Sequence, residues 1–217
     1  ILDETDVKRI RLSSLQPIDI NDGLLELWNN TRLCRHLHLP LQSGSDPILK
    51  RMNRPYSIAD YESAIDRIRN TIPKVSITTD IIVGFPGETD DEFQKSYDFC
   101  RCMSFANIHV FSYSKRPGTA AAEMPAQIDE QVKKERSRKM LKLSRERVIQ
   151  FGRQFNGETL PVLWETQISP GVWDGLTDNY IRVMTRSTES LKNRIADAKL
   201  SNIYNKTFKC IETNLTP

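Results

Sequence analysis

From residue 10 to residue 113, short apolar runs alternate with stretches whose apolar residues recur at helical spacing. Residues 10–12 predict a strand, 36–41 (HLHLPL) a second, 75–84 (VSITTDIIVG) a third and 107–113 (NIHVFSY) a fourth. Between them, Asp19 is a candidate cap for a helix carrying Ile20, Leu24, Leu27 and Trp28. Asp46 followed by Pro47 opens a short helix, because proline fits the first helical position. Ser57 with Asp60, and Thr89 with Glu92, have the spacing of capping boxes. The first precedes an apolar face of Ile58, Tyr61, Ile65 and Ile68, ended by Pro73. The second precedes Phe93, Tyr97 and Phe99. Alternating strands and helices predict a parallel α/β sheet or barrel, which keeps its site at the carboxyl ends of its strands. The loops to watch are therefore 13–14, 42–45, 84–88 and 114–119.

Residues 131–155 break the alternation. Val132, Met140, Leu143, Val148, Phe151 and Phe155 recur at roughly helical spacing, with no proline, and predict one long amphipathic helix. Beyond it the pattern shortens. Runs at 160–165, 171–174, 180–185 and 207–213, separated by Pro, Gly, Asp and Asn, predict a small all-β barrel. The expected units are thus 1–130, a connecting helix at 131–155 and a β-module at 156–217.

Charge sharpens this division. Residues 1–130 carry 15 Lys/Arg against 19 Asp/Glu, residues 131–155 carry 9 against 2, and residues 156–217 carry 7 against 7. The basic excess lies in the long helix, either as a solvated face or as an approach surface for a phosphate backbone. The chain has 217 residues, is 38% hydrophobic and 27% charged, and holds no run of about 20 apolar residues, which fits a globular protein and argues against a membrane span. Four cysteines (34, 100, 102, 210) are too scattered for a disulfide framework, so reduced thiols in a cytoplasmic protein are expected. The C-x-C at Cys100 and Cys102 has no further ligands beside it. The chain opens at Ile1, which suggests a portion of a longer protein.

Several motifs are candidates for chemistry. GFPGET at 84–89 follows a strand and precedes a helix, so it is either a tight turn or a place where backbone meets ligand. It lacks the Lys-Ser/Thr of a phosphate loop. In QSGS at 42–45, Gln42, Ser43 and Ser45 can hydrogen-bond a ribose or carboxylate, or can form a turn and helix cap. Asp80 lies within an apolar strand and needs a partner, as a structural group or as a site residue. His36 and His38 share a strand face but no third ligand is in sight, so packing histidines are expected and no metal site. Arg116 is placed to grip an anion or to be exposed.

RLSSLQP at 11–17, HLHLPLQSGSDPILKRMNRPY at 36–56, TTDIIVGFPGETDDEF at 78–93 and HVFSYSKRPGTAA at 109–121 together resemble the radical S-adenosylmethionine (SAM) methylthiotransferases. The RLSSLQP and HLHLPLQSGSD forms resemble the branch acting on N6-threonylcarbamoyladenosine beside the tRNA anticodon. The resemblance implies the C-terminal part of a partial six-stranded (β/α) TIM-like barrel, four strands being present, followed by an OB-like TRAM barrel that binds tRNA. GLTDNYIRV at 175–183 is similar to that module's strand pair. For SAM it implies contacts from Ser13, Gln42, Ser43, Asp80, Gly84, Phe85, Pro86, Gly87, Glu88, Tyr113 and Arg116. For the anticodon stem-loop it implies Lys133, Lys134, Arg138, Lys142, Arg145, Asn179, Tyr180 and Arg182, with Tyr180 stacking on a base or packing the barrel.

The family's chemistry uses two [4Fe–4S] clusters, one held by C-x-x-x-C-x-x-C, to make a 5′-deoxyadenosyl radical and deliver sulfur and methyl. No cysteine here falls in that spacing. The expectation is a chain that keeps part of the SAM pocket and the tRNA module without turnover, with the sulfur donor unspecified. Self-association through an opened barrel edge is also expected. The alternatives are an RNA-binding module on an inert α/β scaffold, and another radical SAM enzyme modifying RNA or protein.

Overall fold

Ser57 and Asp60 exchange hydrogen bonds across the first turn of α3 (Ile58–Thr71), and Thr89 and Glu92 do the same for α4 (Asp90–Cys102). These two capping boxes start the helices that back the sheet of the protein, described here by a computed structural model covering residues 1–205 and 210–216. The sheet has three parallel strands in sequential order: β1 (His36–His38), β2 (Ser76–Val83) and β3 (Asn107–Ser112). The chain opens with α1 (Asp22–Glu26), and α2 (Asp46–Arg51) follows β1.

Alternation on the strands divides two faces. Leu37, Ile77, Ile81, Val83 and Ile108 point to the helix side and join Tyr61, Ile65, Ile68, Phe93 and Cys100 in the larger core. Ser76, Thr78, Asp80, His36, His38 and His109 occupy the alternate positions and form a polar inner face. A parallel sheet backed by helices, followed by a closed five-stranded barrel, is the α/β-plus-small-barrel fold class expected.

Three local expectations are corrected. Residues 10–12 are not a strand; Ile10 makes one isolated parallel bridge to Leu33, so the described sheet has three strands rather than four. That short segment instead spends a backbone bond on β1 one step further on, from the Leu15 N–H to the His38 carbonyl. The first helix is capped by Asn21, which accepts from the Leu24 N–H, while Asp19 accepts from the Gln16 N–H in a preceding 3-10 turn. β1 ends at His38 because Pro40 removes a ladder donor, although Leu39 and Gln42 still donate to Thr78 and Asp80 carbonyls.

A short α5 (Ala120–Glu123) leads to the long basic helix, α6 (Glu130–Arg153), which begins at Asp129 and packs Met140 and Leu143 into the larger core. Its Ser144 hydroxyl donates to the Ile108 carbonyl of β3. The closed barrel then runs β4 (Thr159–Ser169), β5 (Val172–Thr177), β6 (Arg182–Arg186), β7 (Ile195–Asn205) and β8 (Cys210–Leu215), in the order β4-β5-β6-β8-β7. Trp164, Val162, Val183, Leu200 and Ile211 fill its interior. β7 was not among the expected runs, yet it pairs with both β4 and β8 and closes the barrel. Of the run expected at 207–213, residues 207–209 lie outside the described residues.

The β5–β6 turn fastens the barrel to the sheet. The Arg35 guanidinium grips Asp178 through two bonds of 2.6 and 3.0 Å. Tyr180, at a φ of 67°, sets its ring 4.4 Å from His36, and Arg11 lies over the ring's face at 4.3 Å. Arg9 donates to the carbonyls of Leu176 and Pro161. Burial, helped by the nearby Arg11 charge, pushes the His36 imidazole down to about 3.

A pH dependence follows. The unfolded chain takes up a proton near pH 6.5 that the folded chain refuses until about pH 3, so stability falls as pH drops through that window. One such proton costs about 1.4 kcal/mol per pH unit. Thermal melts between pH 7 and 5 check this: His36→Gln flattens the decline, and an unchanged slope contradicts it.

Candidate functional site

The carboxyl ends of β2 and β3 converge on the loop at 84–88. Gly84 and Gly87 adopt φ of 73° and 78°, a region open to glycine at no steric cost. Glu88 turns back beneath the loop. Its carboxylate accepts from the Gly84 N–H at 2.7 Å and from the Arg136 guanidinium of α6 at 2.7 Å. Arg136 also donates to the Glu88 carbonyl and to the Asp90 carboxylate. Glu88 and Arg136 side chains are 1% and 8% exposed, so this is a buried ion pair. Burial pushes the Glu88 carboxyl above its ordinary value, against the pull of the Gly84 amide and Arg136.

The ligand-facing space expected at the loop's glycines is taken by the chain itself. A side chain at Gly84 would strike Lys133, and one at Gly87 would strike Arg51. Arg51 donates to the Gly87 carbonyl at 2.8 Å. Phe85 is buried with its ring edge-on to Tyr113 at 5.4 Å, and Pro86 is buried beside it. The Tyr113 hydroxyl is buried and has no partner.

Ser43 is likewise turned inward. Its hydroxyl meets that of Ser96 at 3.2 Å, and Gly44 sits so close to the Ser96 backbone of α4 that a Cβ would lie 2.6 Å from Cα. Ser43 is thus a loop fastener, because QSGS must pass under α4. Gln42, at a φ of 68°, pairs through its backbone with β2 and keeps a half-buried side chain at the sheet edge. Ser13 and Arg116 are exposed on flanking segments.

Asp80 resolves to the polar inner face. Its carboxylate lies 3.3 Å from His38 Nε2, and His109 stands beside both, with ligand atoms of all three within 4.8 Å of one another. His38 Nδ1 meets the Thr78 hydroxyl at 3.0 Å. Asp80 therefore has His38 as its partner. The sequence puts His36, His38 and His109 on strands and pairs the first two; only the parallel register of β2 and β3 brings His109 opposite Asp80.

The basic helix splits by face. Lys134, Arg138, Lys142 and Arg145 are exposed at helical spacing and make one stripe. Lys133 is buried: its ammonium pairs with Glu130 at 2.7 Å and lies 5.5 Å from the Tyr113 ring centre. It is therefore corrected from a nucleic-acid contact to a support of the 84–88 loop. Arg136 was not singled out by the sequence. Both lie on the face of Met140 and Leu143, a spacing that marks them as inward-facing. In the barrel, Asn179 is wholly buried and accepts from the Thr177 hydroxyl at 2.6 Å, so it too offers no surface contact. Tyr180 is spent between His36 and Arg11 but stays 39% exposed, and Arg182 is exposed and paired with Asp174.

Cys100 is buried in the core, where desolvation pushes its thiol up, and Cys34 is raised by the same cause. Cys210, in the barrel, is pushed to about 11, and Cys102 is exposed on α4. No three cysteines gather among the described residues. No helix among them is long and apolar enough to cross a membrane.

Residues 5–100 match the family model described as the radical SAM superfamily. The chain is 38% identical over 199 residues to the threonylcarbamoyladenosine tRNA methylthiotransferase MtaB of Bacillus subtilis, covering 89% of this chain and 44% of that protein. It is 41% identical over 175 residues to the protein of the same name from Thermotoga maritima, covering 80% and 40%. It is 38% identical over 198 residues to the tRNA-2-methylthio-N(6)-dimethylallyladenosine synthase of Lachnoclostridium phytofermentans, covering 90% and 43%. The chain spans less than half the length of these relatives. Among solved structures, Escherichia coli coproporphyrinogen III oxidase, titled a radical SAM enzyme, superposes with a TM-score of 0.48 at 19% identity, covering 69% of this chain and 34% of that one.

The Glu88 clamp yields a stability prediction. Glu88→Ala leaves the Gly84 N–H buried without its acceptor and leaves Arg136 with only Asp90 and the residue-88 carbonyl, and lowers stability by about 1–3 kcal/mol in urea denaturation. Replacing Glu88 and Arg136 together by Met costs less than the single change.

Proposed function

We propose that the chain, whose residues 5–100 match the radical SAM superfamily model, serves a tRNA methylthiotransferase acting at C2 of N6-threonylcarbamoyladenosine beside the anticodon. The reading rests on the 38% and 41% identity to two relatives named for that nucleoside. The relative named for N6-dimethylallyladenosine, also at 38%, supplies the second reading. When bound, the cofactors of this family supply hydrogen abstraction at an unactivated adenine C–H and the transfer of sulfur and methyl.

This chain's residues take the binding and orienting tasks. Gln42 and the unpartnered Tyr113 hydroxyl are the groups left to hold SAM, with Ser13 and Arg116 at the rim and the 84–88 backbone as the wall. The four cysteines lie outside the C-x-x-x-C-x-x-C spacing, which supports reading the chain by itself as inactive. The barrel, residues 156–217 in this division, acts as the TRAM-like tRNA module. The stripe of Lys134, Arg138, Lys142 and Arg145 tracks the phosphate backbone, with Arg182 and the exposed edge of Tyr180 beside it in function. The half-exposed Phe111 on β3 favours self-association, and tRNA as substrate favours a cytoplasmic site of action.

Binding of an anticodon stem-loop, followed by fluorescence anisotropy across a salt series, tests the tRNA assignment. Changing the four stripe cations to Glu weakens binding at least tenfold and flattens its dependence on salt. Unchanged affinity and slope overturn it.

A further inference from the structure

We propose that His38, Asp80 and His109 bind a divalent late first-row transition metal, such as zinc, on the inner face of the sheet. The three side chains come from three adjacent strands, and the parallel register sets His109 directly opposite Asp80. Their ligand atoms lie within 4.8 Å of one another. Ligands at the ~2.0–2.2 Å bond lengths of tetrahedral zinc stand about 3.3–3.5 Å apart. His38 Nε2 and Asp80 Oδ2, at 3.3 Å, already span such an edge. The remaining ligand has to close by about an ångström, within reach of side-chain rotation at an exposed position.

The support around the ligands fits the same role. The Thr78 hydroxyl occupies His38 Nδ1 at 3.0 Å, which fixes the ring and leaves Nε2 for the metal. Metal-bound imidazoles are held in this way through their other nitrogen. Two imidazoles and one carboxylate favour zinc, cobalt, nickel or iron over magnesium and calcium, which take oxygen. Three protein ligands leave at least one position open toward the exposed side at His109, so a water or a substrate atom can complete the shell. The site lies apart from the cysteines and owes nothing to the cluster chemistry of the proposed function.

Titration of the chelator-stripped chain with Co²⁺, read by visible absorption, and with Zn²⁺, read by calorimetry, tests the proposal. One Co²⁺ per chain binds with the intensified bands of a four- or five-coordinate ion, and Zn²⁺ displaces it. Both His109→Ala, at an exposed position, and the isosteric Asp80→Asn weaken binding at least tenfold while circular dichroism stays native. Cys102→Ser and Cys34→Ser leave binding unchanged. Equal affinity in the His109 and Asp80 variants, loss of binding in the cysteine variants, or equally tight Mg²⁺ overturns the assignment.

Discussion

A buried carboxylate between a loop and a helix governs the architecture. Glu88 gives up water and receives the Gly84 amide and the Arg136 guanidinium in return. Such a pair is a weak source of net stability but a strong determinant of geometry, since either partner alone is costly to bury. Here it fixes two things at once. It closes the 84–88 loop at the carboxyl end of β2, and it sets where α6 begins. From that anchor α6 runs past β3, lays Met140 and Leu143 into the core, and delivers the chain to the barrel. Lys133, one turn earlier, fills the space beside Gly84. The basic helix is thus built into the sheet along one face, and its opposite face carries the free cations.

The second junction is at the other end of α6. There, Gly152 brings the helix against Ile211 of the barrel, and the β5–β6 turn reaches the sheet through Asp178 and Tyr180. Tyrosine at a positive φ is uncommon and is held by surrounding contacts. Those contacts are the His36 ring on one side and Arg11 on the other. The aromatic that the sequence left between stacking on a base and packing the barrel is therefore part of the seam between the two folded units. Its exposed edge is what remains for a ligand.

Local signals were legible where one short motif decides the backbone. Ser57 with Asp60 and Thr89 with Glu92 located the starts of two helices, because each box satisfies its own orphan donors. β7 was hidden because Ala196, Asp197, Lys199 and Ser201 make it read as polar loop, and its pairing with β4 and β8 comes from distant sequence. Residues 10–12 looked like a strand but find only one bridging partner. At the site, the glycines and serines of GFPGE and QSGS were legible as special positions. Their roles were not, since their contacts are with Lys133, Arg51 and Ser96 from other elements. The His38–Asp80–His109 grouping depends on interstrand register, which no single stretch of sequence encodes.

The most direct test of the account joins this chain behind a segment carrying C-x-x-x-C-x-x-C, in cells lacking their own methylthiotransferase, and measures tRNA nucleosides by mass spectrometry. The account predicts 2-methylthio-N6-threonylcarbamoyladenosine from the joined protein and none from this chain alone. Iron-loaded joined protein that leaves N6-threonylcarbamoyladenosine unmodified, or a methylthio group formed by this chain alone, would contradict it.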